Sequence, residues 1–212
     1  RSPARGLGDV YKRQGKYFTQ RPDGRDIFQE MQAQGYRVAR SWEKAGALPS
    51  GKTLVVAAPG NLPPPSKRGD VFRQAAVKAL DTLSRNPNGF FLMIEGSNID
   101  KAAHSNNLEE MMEELLDFDR TAGAVLDWAS KHPGTLVVIT ADHNTGAFAL
   151  TGGSREQGEI TGRFGSGSHD GVAVPVYAFG AGSGDFTGIY ENTDIFNKIM
   201  NALKKGADKP VR

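Results

Sequence analysis

The stretch TLVVITADHNTG, residues 135–146, is where the reading of this chain turns. Residues 136–141 are apolar apart from Thr140 and read as a buried strand. The strand then places Asp142 beside His143, followed by Asn144, Thr145 and Gly146. Asp with Asn-Thr-Gly is also ordinary turn chemistry, so the stretch has two readings, a strand-to-loop turn or a site at the strand tip.

Moving outward, strand-like and helix-like runs alternate. Ile27, Phe28 and Met31 have helical spacing up to a break at Gly35, and residues 36–39 suit a short strand. Residues 52–58 are a compact β-type run, followed by a Pro-rich loop over 59–69. Val71, Ala75, Leu80 and Leu83 mark a helix over 70–84. Residues 89–96, GFFLMIEG, read as a second buried strand ending in Glu95. Residues 107–132 form the longest periodic segment, with an apolar face from Leu108, Met111, Met112, Leu115, Leu116 and Phe118 to Ala122, Val125, Leu126 and Ala129. His132-Pro133-Gly134 stops it, and His132 suits a helix C-terminus. Residues 151–167 are Gly-rich and polar, hence a predicted loop; 172–180 read as a strand, and 194–205 as a closing amphipathic helix. Such alternation implies an α/β fold with a mostly parallel sheet flanked by helices.

The composition narrows the partners. The 212 residues carry 26 basic and 24 acidic side chains, a formal charge of +2, which gives no argument for a nucleic-acid or membrane-surface partner. With no cysteine, disulfides and zinc–thiolate sites are excluded, and His, Asp and Glu remain as metal ligands. No apolar run approaches the roughly 18 residues of a membrane span. Residues 1–14 are basic and aperiodic and are expected to be a non-native or disordered leader. Residues 15–205 are expected to be part of one domain, and 206–212 a tail.

In an open α/β sheet, ligands gather beyond the carboxyl ends of the strands. One predicted strand leads there to Glu95, then Asp100 and His104; the other leads to Asp142 and His143. Asp100 and His104 are four apart, so a helical turn sets both on one face, as two ligands to one ion require. The alternative is a helix-capping Asp and a surface His. His169 lies in the glycine-rich GSGSHDG before another strand, where glycines let backbone approach closely. Neutral imidazoles with carboxylates suit zinc, an all-oxygen set suits magnesium, and paired zinc ions suit phosphoryl transfer.

Three segments, FFLMIEGSNIDKAAHSNN, MEELLDFDRTAGAVLDWASKHPGTLVVITADHNTG and GSGSHDGVAVPVYAFG, together resemble the C-terminal half of an alkaline phosphatase, over about residues 15–203. The resemblance implies an alkaline-phosphatase-like fold, incomplete at its N-terminus. It implies hydrolysis of phosphate monoesters by two Zn2+ and one Mg2+ through a phosphoserine intermediate. Asp100, His104 and His169 match ligands of the first zinc, Asp142 and His143 match ligands of the second, and Glu95 matches the magnesium carboxylate. Lys101 matches a phosphate-contacting lysine of some members; its bland reading is a solvated charge. The family's nucleophile, a Ser in an Asp-Ser-Ala context, does not occur in this sequence, and neither the aspartate shared by the second zinc and the magnesium nor the phosphate-binding arginine is matched. The sequence by itself is therefore expected to be inactive or very weak. The family is often dimeric and exported, which implies a homodimer in the periplasm or outside the cell. The rivals are a phosphodiesterase or manganese mutase of the same superfamily, a non-catalytic metal-binding domain, and an α/β domain whose His and Asp placement is fortuitous.

Overall fold

The computed structural model describes residues 15–45, 51–58, 60 and 62–207, with side chains to residue 204. The expected leader, residues 1–14, and all but two residues of the expected tail lie outside them. The chain divides into two compact units, Arg1–Ser97 and Asn98–Arg212.

In the first unit, α1 (Lys16–Thr19) and α2 (Ile27–Ala33) precede β1 (Arg37–Ala39), α3 (Trp42–Ala45) and β2 (Thr53–Val55). Asp26 starts α2 because its carboxylate accepts from the amides of Phe28 at 2.9 Å and Gln29 at 3.2 Å, which would otherwise lack partners. β1 and β2 pair in parallel, Arg37 opposite Thr53. Phe18, Phe28 and Val56 are buried together, with the two phenyl rings stacked at 4.9 Å. After α4 (Pro65–Arg68) comes α5 (Val71–Leu83), which buries Phe72, Ala75, Ala76 and Leu80.

Residues 89–96 depart from expectation. They join no ladder among the described residues, and burial alternates along them: Phe91 is 46% and Met93 47% exposed, while Phe90, Leu92 and Ile94 are half-buried. The period of two is that of a strand, but a strand needs a neighbour to take its backbone hydrogen bonds, and the described residues provide no ladder partner.

α6 (Ser97–His104), which lies in the second unit from Asn98 onward, is followed by the long α7 (Leu108–Ser130). Asn107 caps α7 by accepting from the Glu110 amide at 3.1 Å. The buried stripe of α7 matches the predicted face only in part. Met111, Glu114, Asp117, Thr121 and Ala129 are buried, whereas Leu115 and Leu116 are 42% and 50% exposed. The polar members of that stripe have partners: Asn98 donates to Glu114 at 3.2 Å, the Arg120 guanidinium lies 3.5 Å from the Asp117 carboxylate, and the Thr121 hydroxyl donates to the Asp117 backbone carbonyl at 2.9 Å.

β3 (Leu136–Thr140) follows, then β4 (Asn144–Thr145), β5 (Ala149–Ser154), β6 (Glu159–Arg163), β7 (His169–Asp170) and β8 (Val176–Gly180). A short 3-10 turn, Ser183–Phe186, leads to α8 (Asp194–Ala207). Three ladders, β3–β8, β4–β7 and β5–β6, are antiparallel. Of the four ladders described, only β1–β2 therefore runs as the expected mostly parallel sheet would. A parallel return needs a crossover, usually a helix, and residues 141–175 contain none, so β8 comes back against β3. The predicted loop 151–167 largely forms the β5–β6 hairpin; its strands are almost wholly exposed and glycine-bearing, so no apolar alternation announced them. β8 starts four residues later than predicted, just after Pro175, which has no N–H for a ladder.

Candidate metal centre

Four segments of the second unit converge on one cluster. α6 carries Asp100 and His104 on one face, with His104 Nε2 3.5 Å from Asp100 Oδ1. The tip of β3 delivers Asp142 and His143. The two-residue ladder β4–β7 sets Thr145 opposite His169 and Asn144 opposite Asp170. The fourth segment is the turn at 165–168, which is tied to residue 146 by two amides donating to the Gly146 carbonyl, from Gly165 at 3.0 Å and Ser166 at 3.1 Å. Gly146 has φ +83, and a Cβ there would lie 2.8 Å from the Phe164 ring and 3.1 Å from the Ala103 carbonyl oxygen, so glycine alone fits.

The histidines meet closely. His104 Nε2 and His169 Nε2 are 3.0 Å apart, His169 Nε2 is 3.6 Å from Asp100 Oδ1, and the His143 and His169 rings stack at 3.6 Å. Asp100, His143 and His169 each offer one ligand atom, and these atoms all lie within 4.8 Å of one another.

A hydrogen bond fixes what one of the rings presents. His104 Nδ1 is 2.8 Å from the Gly167 carbonyl oxygen, which can only accept, so Nδ1 carries the proton and the neutral ring turns a bare Nε2 toward Asp100 and His169. When His169 Nε2 is also bare, two nitrogen lone pairs and a carboxylate oxygen converge with no positive charge among them. That is the donor set of a tetrahedral, borderline-soft cation such as Zn2+, and the residues present fit one. Asp142 adds a carboxylate 3.3 Å from His143 Nε2 and is 78% exposed.

Glu95 and Lys101 stand differently. Glu95 belongs to the first unit, where it ends the extended segment half-buried, and the cluster above is built without it. Lys101 follows Asp100 on α6, and its ammonium donates to the Asn98 side chain at 3.1 Å. His132, expected at a helix end, places Nδ1 2.7 Å from the Trp128 carbonyl and stacks on the Trp128 ring at 3.7 Å, outside the cluster.

Three residues that the sequence reading left as turn and loop prove integral. Asp170 accepts from Asn144 Nδ2 at 3.1 and 3.0 Å, from the Ala147 amide at 2.9 Å and from the Val172 amide at 3.1 Å. The Asn144 bonds first, then those backbone amides, and lastly the nearby His143, hold its carboxyl below the ordinary value of 3.8. The Thr145 hydroxyl donates to Asp100 Oδ1 at 2.7 Å and lies 3.2 Å from His143 Nδ1. The available signal was their position beside the two histidines at strand tips.

Comparison with known proteins agrees with this architecture. The family model described as alkaline phosphatase matches residues 7–163. The chain is 28% identical, over 93% of its length, to alkaline phosphatase 4 of Bacillus subtilis, covering 58% of that protein. It is 31% identical, over 85% of its length, to streptomycin-6-phosphate phosphatase of Streptomyces griseus, covering 51% of that protein. The chain thus spans little more than half the length of these curated relatives. Among solved structures, alkaline phosphatase from the Antarctic bacterium TAB5 superposes with a TM-score of 0.80 at 33% identity, over 90% of this chain and 58% of that one. A variant of the TAB5 enzyme has Mg bound in its M3 site.

Proposed function

Because the chain belongs to the alkaline phosphatase family and has an α/β fold of that kind, we propose that its histidine–carboxylate cluster is the metal-holding part of a site that hydrolyses phosphate monoesters. The observation that carries this is the meeting of His104 Nε2, His169 Nε2 and Asp100 Oδ1 within 3.0–3.6 Å, with the His104 tautomer set by the Gly167 carbonyl. Asp100, His104 and His169 would hold one zinc, and Asp142 and His143 would contribute to a second. By resemblance, Glu95 would serve a magnesium and Lys101 would contact phosphate. Bound there, the metals would supply Lewis-acid charge for in-line displacement at phosphorus.

The chain's own residues do the orienting. His104 is aimed by Gly167, and His169 and His143 are held face to face by β4–β7. Asp142 adds a second anionic oxygen on the solvent side. Phosphoryl transfer needs mainly positioning and charge neutralisation, which such a frame provides. The nucleophile, a Ser that would form the phosphoserine intermediate, is not in this sequence in its family context, so turnover depends on residues that the relatives carry in their unmatched length. Residues 15–205 would then be part of one catalytic domain, exported to the periplasm or beyond and assembled as a homodimer.

The test is zinc titration of the chain followed by assays with an aryl phosphate monoester and the matching diester, with and without the N-terminal portion of a relative supplied by fusion. The expected results are zinc binding by the chain, no more than trace turnover by it alone, and zinc-dependent monoester hydrolysis by the fusion. Faster diester than monoester hydrolysis would favour the phosphodiesterase reading. Zinc binding without turnover in any fusion would leave a metal-binding domain.

A further inference from the structure

The Thr145 hydroxyl lies between the residues assigned above to two different metal positions, and nothing in the resemblance gives it a part. It has one proton, and Thr145 is 8% exposed. Asp100 Oδ1, at 2.7 Å, is a carboxylate oxygen and can only accept, so the proton points there. His143 Nδ1, at 3.2 Å from the same oxygen, must then be the donor in that pair. The direction of the whole chain follows: His143 Nδ1–H donates to Thr145 Oγ1, whose O–H donates to Asp100. In the neutral ring this leaves His143 Nε2 bare, facing Asp142 at 3.3 Å. One hydroxyl therefore sets the tautomer of a histidine assigned to the second metal while holding the carboxylate assigned to the first. Its backbone is itself fixed, because Thr145 pairs with His169 in β4–β7.

We propose that Thr145 is a positioning residue that couples the two halves of the metal centre through the relay His143–Thr145–Asp100. Outer partners of this kind orient ligands and tune their basicity. The inference rests on the metal-site reading above, and its test separates the two.

The experiment uses the whole chain, unsubstituted and as Thr145→Val and Thr145→Ser. Zinc affinity is read by isothermal titration calorimetry, and the His143 ring nitrogens by long-range proton–nitrogen NMR on the metal-free chain at a pH where the ring is neutral. Thr145→Val keeps the shape and loses the hydroxyl. It should weaken zinc binding by about 10–100-fold and release His143 into a mixture of tautomers, while Thr145→Ser keeps both properties close to the unsubstituted chain. Unchanged affinity and nitrogen shifts in Thr145→Val would overturn the proposal. So would an unsubstituted chain whose His143 carries its proton on Nε2, a result that needs no variant to fold. If the unsubstituted chain takes up no zinc, the metal reading fails, and the tautomer still decides the relay.

Discussion

At the scale of single residues, the cluster works by denying its imidazoles a choice. His104 is the clearest case, since a carbonyl oxygen at 2.8 Å fixes Nδ1 as the protonated nitrogen. Removing an outer partner of a metal-binding His costs about 10–100-fold in affinity, so removing the imidazole itself, as in His104→Ala, should cost roughly 100-fold or more on zinc titration. Retained affinity would show that His104 is not a ligand. Asp170 gives a second, metal-free measurement. Its carboxyl is held below 3.8, so the stability it contributes is complete above about pH 4 and is lost as the pH falls through the lowered value. The Asp170 carboxyl carbon should titrate with a midpoint below 3.8, and Asn144→Ala should move that midpoint upward. A midpoint at or above 3.8 in the unsubstituted chain would contradict the Asn144 clamp. Asp142 and His143 were legible in the sequence because an acid and an imidazole at an apolar strand tip are unusual. Thr145 was not, because a hydroxyl before Gly146 reads as turn chemistry until the residue 45 positions upstream is seen to accept its proton.

At the scale of elements, length and periodicity made α5, α7 and α8 readable, although α8 runs on through Gly206. The face of α7 was misread in part, because periodicity counts apolar residues and cannot see that buried Glu114, Asp117 and Thr121 find partners. Leu116→Lys checks this. In this chain an exposed position should change stability by no more than about 0.5 kcal/mol, whereas a buried leucine would cost several times that. A large loss in chemical denaturation would restore the predicted face. The β3–β8 ladder makes a different demand. Gly180 has φ +90, and a Cβ there would lie 2.2 Å from the Thr135 carbonyl oxygen, a backbone atom that cannot swing aside. Gly180→Ala should therefore cost at least about 2 kcal/mol by the same denaturation measurement, and a neutral outcome would mean that the ladder end is looser than described.

At the scale of the whole molecule, the two compact units should respond unequally to metal. Every side chain of the cluster belongs to Asn98–Arg212. Zinc at about 100 times its dissociation constant adds roughly 2.7 kcal/mol to whatever folds around it. Hydrogen exchange should accordingly slow across α6, β3, β4 and β7 on adding zinc, and a chelator should reverse the effect. Amides of β1, β2 and α5 should change little, and equal protection of both units would show that the metal is not held where the cluster lies. The α/β class could be read from alternating runs. The strand directions could not, because pairing is decided by which neighbours are present rather than by any residue in the strand.

The extended segment 89–96 carries this last point into the test tube. With Phe91 and Met93 half-exposed, it offers two apolar side chains to any apolar surface that approaches, including the same segment of another molecule. The chain handled alone should therefore be a concentration-sensitive material: light scattering should climb steeply as it is concentrated, and a single charge at an exposed position, Met93→Lys, should flatten that climb without touching the zinc titration.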